Sequence, residues 1–346
     1  MRVAVWGTGN MGRAGIRAVA AHPELELVAV VGRSLAGSDA GEVADLGPLG
    51  VTVSPDVPDD LDAVVYMASG DVRPDDAIAD IAGCLAGGAV VVTPSVYALY
   101  DPSNAPAALR GPLLDACKEG GSALFVSGID PGWGNDILPV LLTGIASTVT
   151  QVRCQELFDY STYDQPDAVR SSVGMGGSMD EVPIMVAPSI PTMIWGGQLR
   201  MMARALGVEL DEIREQVERR ALERDVTNAM GLFEKGTQGG LRFEIQGVVD
   251  GEVKLVVEHV TRIAADVAPD WPSPADGGAG AHTIVIEGRP RIVVTVEATD
   301  EGGNRAAGGN ATAAARLVNA IPWLRAAAPG LYDAMDVPLS PAVGRL

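Results

Sequence analysis

Continuous apolar runs of strand length punctuate the first part of the chain, at 2–6, 25–31, 63–68, 89–93 and 123–127. Helix-like stretches lie between them, at 13–21, 74–86 and 106–119, the last two rich in alanine. Runs that are apolar throughout, rather than alternating, belong to strands covered on both faces. The pattern predicts an α/β domain over residues 1–135: a Rossmann, doubly wound parallel sheet.

The pattern changes near residue 148. A longer, more polar strand is expected over 151–158 and a loop over 160–183. Residues 192–206 and 209–224 read as two helices split by Gly207-Val208. Alternating strands follow at 240–249, 253–264 and 282–298, and Asp250-Gly251 signals a hairpin turn. The Pro/Gly-rich stretch 266–280 reads as a surface loop. This predicts a second, α+β domain over 136–307, with an open mixed or antiparallel sheet and helices on one face. An Ala-rich helix at 311–320, ended by Pro322, belongs to a tail (308–346) expected to return to the first domain.

A length of 346 residues suits two domains, and 47% hydrophobic residues suffice for their cores. No apolar run approaches the roughly 18 residues of a membrane-spanning helix. No signal-peptide pattern opens the chain. Cys84, Cys117 and Cys154 stand far apart, as do the three histidines, so no metal site is expected and the thiols read as reduced and cytoplasmic. A net charge of −20 repels nucleic acid and anionic membranes, leaving a small molecule as the expected partner.

Gly7-Thr8-Gly9-Asn10-Met11-Gly12 follows the first strand and opens a helix. In that context G-x-G-x-x-G serves a dinucleotide: a tight turn, close backbone approach to a pyrophosphate, and close helix–strand packing. The second strand ends Val31-Gly32-Arg33-Ser34, without the carboxylate that usually accepts from an NAD ribose. Arg33 can pair with a 2′-phosphate and Ser34 can donate to it, so NADP(H) is the expected cofactor. Ala68, Ser69, Thr93 and Ser95, at the carboxyl ends of later strands, are expected to border it.

The glycine loop, Gly37-Ser38-Asp39-Ala40-Gly41-Glu42-Val43-Ala44, Gly50-Val51-Thr52-Val53 and Gly330-Leu331-Tyr332-Asp333 resemble dihydrodipicolinate reductase. That enzyme's double histidine, lysine and Pro-Ser-Gly-Thr turn are missing. The rest of the chain is similar to another family, the 2,4-diaminopentanoate dehydrogenase-like proteins, which include native NAD(P)H-dependent amine dehydrogenases. The likeness lies in Asp130-Pro131-Gly132-Trp133, Asp159-Tyr160-Ser161-Thr162-Tyr163-Asp164, Ala205-Leu206-Gly207-Val208-Glu209-Leu210-Asp211-Glu212, Glu258-His259-Val260-Thr261-Arg262 and Val318-Asn319-Ala320-Ile321-Pro322. The resemblance implies hydride transfer at a C=O or C=N carbon, and a homodimer made through the second domain, whose sheet needs cover on its outer face. One departure stands out. Amine-forming members carry a proton-handling glutamate after the strand matching Val91-Val92-Thr93, whereas this chain has no carboxylate there until Asp101.

Tyr97 and His259 are the candidates for moving a proton. Tyr97 follows a strand whose end should border the nicotinamide, and equally suits a core position. Alternation puts His259 and Glu258 on opposite faces, so His259 lines the pocket, as the family match implies, or bonds at a surface. Trp133 and Tyr163 are expected as pocket walls. Glu156 and Asp159, three apart on a strand, fall on opposite faces and do not read as a carboxylate pair. The expected function is an NADP(H)-dependent oxidoreductase; the alternative is an NADP-binding sensor on the same fold.

Overall fold

The computed structural model describes residues 1–70, 73–162 and 165–345. These fall into two compact units, Met1–Trp133 with Gly309–Leu346, and Gly134–Gly308. In the first, the elements are β1 (Arg2–Trp6), α1 (Asn10–Ala20), β2 (Glu26–Val31), α2 (Ala40–Val43), β3 (Val53–Ser54), β4 (Ala63–Tyr66), α3 (Pro74–Ala86), β5 (Val90–Thr93), α4 (Ala107–Gly120) and β6 (Ala123–Val126). Strands β4, β5 and β6 are buried at every position, which is why their sequences do not alternate. One face of this sheet packs Val3, Val5, Val65 and Phe125 with Ile16 and Val19 of α1. The other packs Val64, Val91 and Leu124 with Ile81 and Leu85 of α3 and Leu113 of α4.

The second unit contains α5 (Ile137–Thr143), β7 (Thr148–Asp159), α6 (Ile190–Leu206), β8 (Glu212–Ala221), β9 (Val226–Asn228), β10 (Gly231–Phe233), β11 (Gln238–Val249), β12 (Glu252–Arg262), β13 (Gly280–Arg289) and β14 (Ile292–Val296). Strands β9 and β10 form a small ladder; the others form a six-stranded sheet in the order β14-β13-β7-β12-β11-β8. The sheet is mixed, because β7 and β12 run parallel and the remaining pairs antiparallel. On its inner face Phe243, Ile245, Leu255 and Val257 pack with Trp195, Leu199 and Met202 of α6. The outer face of its central strands is charged, with Glu258 buried beneath Arg153 and Arg242. Much of the cover that face needs is therefore supplied by its own ion pairs.

Two expectations for this unit are corrected. Residues 209–224 do not form a helix: Glu212–Ala221 is the edge strand β8, paired with β11. Its Glu, Arg and Gln favour helix, but pairing with a long neighbour overrides propensity, and charges suit an exposed edge. The strand also serves α6, because Glu215 accepts from Ser189 N (3.1 Å) and Thr192 N (2.8 Å) at the start of that helix. Residues 282–298 are not one strand. The chain turns between β13 and β14, so that His282 pairs with Val296 and Ile286 with Ile292.

Helix α7 (Arg305–Ala326) passes into the first unit at Gly309, and β15 (Gly330–Tyr332) pairs parallel to β6. The first sheet is thus seven parallel strands, β15-β6-β5-β4-β1-β2-β3. The chain order reverses beside β1, where ligands collect at the carboxyl ends in such folds. Pro322 does not end α7 as expected. The helix runs on to Ala326, and burial of Ile321 and Leu324 in the core outweighs the backbone hydrogen bond that proline removes. No helix among the described residues is long and apolar enough to cross a membrane.

Candidate functional site

The glycine loop meets three different demands. Gly7 has φ +121°, and its N–H donates to Val31 O (2.8 Å), tying the end of β1 to the end of β2. A Cβ on Gly12 would stand 2.1 Å from Gly7 O, so only glycine lets α1 close onto the loop. Gly9 has an ordinary φ of −75°, and a Cβ there would meet nothing within 4 Å. The start of α1 carries no side-chain cap. Free amide donors beside open space suit a pyrophosphate.

Arg33 and Ser34 are exposed just past β2, and among the described residues no carboxylate pairs with Arg33. Asp39, the first acid after them, is engaged elsewhere. It accepts from the amides of Gly41, Glu42, Leu49 and Gly50, at 2.7–3.3 Å. The Leu49 bond leads in holding its carboxyl below the usual range, against an opposing push from desolvation. The ends of β4 and β5 are tied together. Ser95 Oγ donates to Ala68 O (2.5 Å), and buried Thr93 Oγ1 accepts from Ser95 N (3.0 Å). Ser69 is exposed beside them.

Tyr97 opens a 3-10 turn and is half-buried against the core beneath α3 and α4, its ring stacked on Tyr100 at 6.4 Å. Asp101 is buried, and its Oδ2 accepts from Asn104 Nδ2 (2.8 Å). Trp133 Nε1 donates to Thr312 Oγ1 (3.1 Å), which anchors the 128–133 turn to α7. Tyr163 lies outside the described residues.

In the second unit His259 is on the inner face, 4% exposed, as alternation with Glu258 implies. Its ring stacks on Phe243 (4.5 Å, 12°) and lies 4.4 Å from Trp195. Cross-strand register continues the row: Phe243 beside His259, His259 beside Glu156, Glu156 beside His282. His282 Nε2 is 3.3 Å from Glu156 Oε2, and Phe158 meets the His282 ring edge-on at 5.3 Å. Glu156 and His282 were not among the sequence candidates. Alternation along β7 and β13 gives their faces, but only strand pairing makes them neighbours.

On the outer face Arg153 donates to Glu244 (2.7 Å) and Glu258 (2.6 Å). Arg242 donates to Glu258 (2.8 Å), Glu218 (3.0 Å) and Glu244 (3.2 Å). Burial pushes the Glu244 carboxyl up, but Arg153, Gln246 and Arg242 outweigh it and hold the group below its usual range.

Residues 135–345 match the 2,4-diaminopentanoate dehydrogenase C-terminal domain family, and residues 1–72 match the dihydrodipicolinate reductase N-terminus. The chain is 63% identical over 350 residues to an amine dehydrogenase of Streptomyces virginiae, covering 99% of this chain and 97% of that one. It is 26% identical over 229 residues to the 2,4-diaminopentanoate dehydrogenase of Acetoanaerobium sticklandii, covering 65% and 60% of the two chains. Among solved structures, the amine dehydrogenase from Mycobacterium smegmatis shares the fold, with a TM-score of 0.76 at 21% identity over 99% of this chain and 97% of that one.

Proposed function

Because this chain belongs to the family of 2,4-diaminopentanoate and amine dehydrogenases, we propose that it is an NADP(H)-dependent oxidoreductase acting at a C=N or C=O carbon of a small substrate. The phosphate loop carries this reading. Gly7 and Gly12 answer to the protein's own backbone, whereas Gly9 opens onto free space at the uncapped start of α1. Thr8, Asn10 and Met11 complete that cradle for the pyrophosphate. Arg33 and Ser34 would take the 2′-phosphate, and Ala68, Ser69, Thr93 and Ser95 would border the nicotinamide half. A bound nicotinamide supplies or removes the hydride.

His259, between Phe243 and Trp195, offers a substrate an apolar wall with one polar handle. Tyr97, on the turn after β5 with its ring stacked on Tyr100, is a second candidate for moving the proton, and a packing role for it is separated by its hydroxyl alone. A second copy of the chain, associating through the second unit, is the proposed protein partner.

The test is NADPH oxidation with a panel of ketones, with and without ammonia. Turnover only with ammonia identifies reductive amination; turnover without it identifies carbonyl reduction. NADPH binding with no turnover on either arm overturns the enzymatic reading and favours a sensor.

A further inference from the structure

The two faces of the six-stranded sheet treat their carboxylates differently. On the outer face Glu244 and Glu258 are each met by both Arg153 and Arg242. On the inner face Glu156 has no arginine or lysine within ion-pair distance among the described residues. Its basic partner is the His282 imidazole, 3.3 Å away, and on the strand at its other side one ring nitrogen of His259 lies within 4.8 Å. The side chains of Glu156 and His282 are only 16% and 7% exposed.

An imidazole is a conditional counter-ion, whereas a guanidinium is permanent. A desolvated carboxylate so placed favours an added cation. Its surroundings select the kind of cation. Phe158, Phe243 and Trp195 pack on the two flanking histidines, and aromatic rings so close suit an alkylammonium. In the first unit the turn after β5 offers no carboxylate before Asp101, which is buried and bonded to Asn104.

We propose that Glu156, positioned by His282, receives the protonated amino group of the substrate and takes its proton. The inference rests on the amine reading given above. In the step an N–H bond of the ammonium breaks and an O–H bond forms on the Glu156 carboxylate. The neutral amine keeps the electron pair, and water later removes the proton from the carboxyl group. Glu156 is then a catalytic residue and His282 a positioning residue.

The experiment measures binding to the full chain saturated with NADPH, where a reduced cofactor and an amine cannot exchange hydride. The probes are n-pentylammonium and, as a neutral counterpart, n-pentanol. In Glu156→Gln we expect ammonium affinity to fall by at least about tenfold while n-pentanol and NADPH affinities stay within about twofold. Glu156→Asp keeps the charge and should recover much of the ammonium preference. His282→Asn should weaken the ammonium by less than Glu156→Gln does, again sparing the alcohol. Equal loss of both probes, or loss of neither, in Glu156→Gln overturns the proposal. Should that variant not fold, a Glu156→Asp protein that binds the alcohol but has lost all ammonium preference overturns it instead. A Glu156-dependent ammonium site in a protein that oxidises no amine with NADP+ supports the binding role, overturns the proton transfer and removes the amine reading, leaving carbonyl reduction to the ketone panel.

Discussion

The carbonyl oxygen of Gly7 lies where it would be only 2.1 Å from a Cβ on Gly12, while a Cβ on Gly9, between them, would touch nothing within 4 Å. The two glycines therefore serve different ends. Gly12→Ala should lower stability by about 1–3 kcal/mol, the usual cost of overpacking, although alanine is the better helix former. Gly9→Ala should leave the melting temperature of the cofactor-free protein unchanged and weaken dinucleotide binding by at least about tenfold. Thermal melts and titration calorimetry separate the two, and equal melting losses would remove the distinction.

In the proposed NADP(H) site, cofactor choice would turn on Arg33. With Asp39 occupied by four backbone amides, no nearby acid competes for the ribose. NADP(H) should bind at least about tenfold more tightly than NAD(H), and Arg33→Ala should remove most of that margin. Equal dissociation constants in the unmodified protein would contradict this assignment.

Tyr97→Phe keeps the ring that stacks on Tyr100 and removes only the hydroxyl. If the ring only packs, turnover should stay within about threefold of the unmodified protein. A loss of about 10² to 10⁴ in kcat would return the proton to the phenol.

On the outer face, Arg242→Met leaves Arg153 as the one arginine meeting both Glu244 and Glu258, beside the neutral donors Gln246 and Gln155. Breaking one side of a buried ion network costs about 3 kcal/mol, and rather less here because the arginine is partly exposed. The pH dependence follows from Glu244. Its folded pKa is depressed, so its stabilising contribution is present above the usual carboxylate range and disappears as pH falls through the lowered value. Urea midpoints should drop on acidification, and drop less in Arg242→Met.

The proposed assembly places a second copy on a surface rich in ion pairs rather than on an apolar one. Light scattering should show a dimer at micromolar concentration, loosened by salt as exposed charges are screened. A monomer in low salt would rule the dimer out.

The strands of the first unit were legible because buried parallel strands show themselves as unbroken β-branched runs. The hairpin at Asp250-Gly251 was legible because both residues take positive φ, +52° and +76°, which that pair tolerates. β8 was not. Its half-buried positions, 213, 215 and 219, carry Ile, Glu and Arg, so no apolar alternation marks the strand, and its composition argues for helix. Nor did Pro322 mark an end, since packing around Ile321 and Leu324 decides where α7 stops. The same division runs through the site. The loop and the face of His259 are local properties, readable from neighbours in sequence. The contact between Glu156 and His282 spans 126 residues and depends on strand register, which no local pattern encodes.

The return of α7 and β15 to the first unit also sets an order on synthesis. Residues 134–308 are continuous and leave the ribosome as a complete unit. The first 133 residues, phosphate loop included, must wait with the β6 edge bare and Phe125 lacking the α7 side chains that bury it. A bare parallel edge is a template for wrong pairing, most dangerous while nascent chains are crowded together. The proposed dinucleotide site therefore waits on residues 309–345 for its finished domain, and a cut within them should cost binding there.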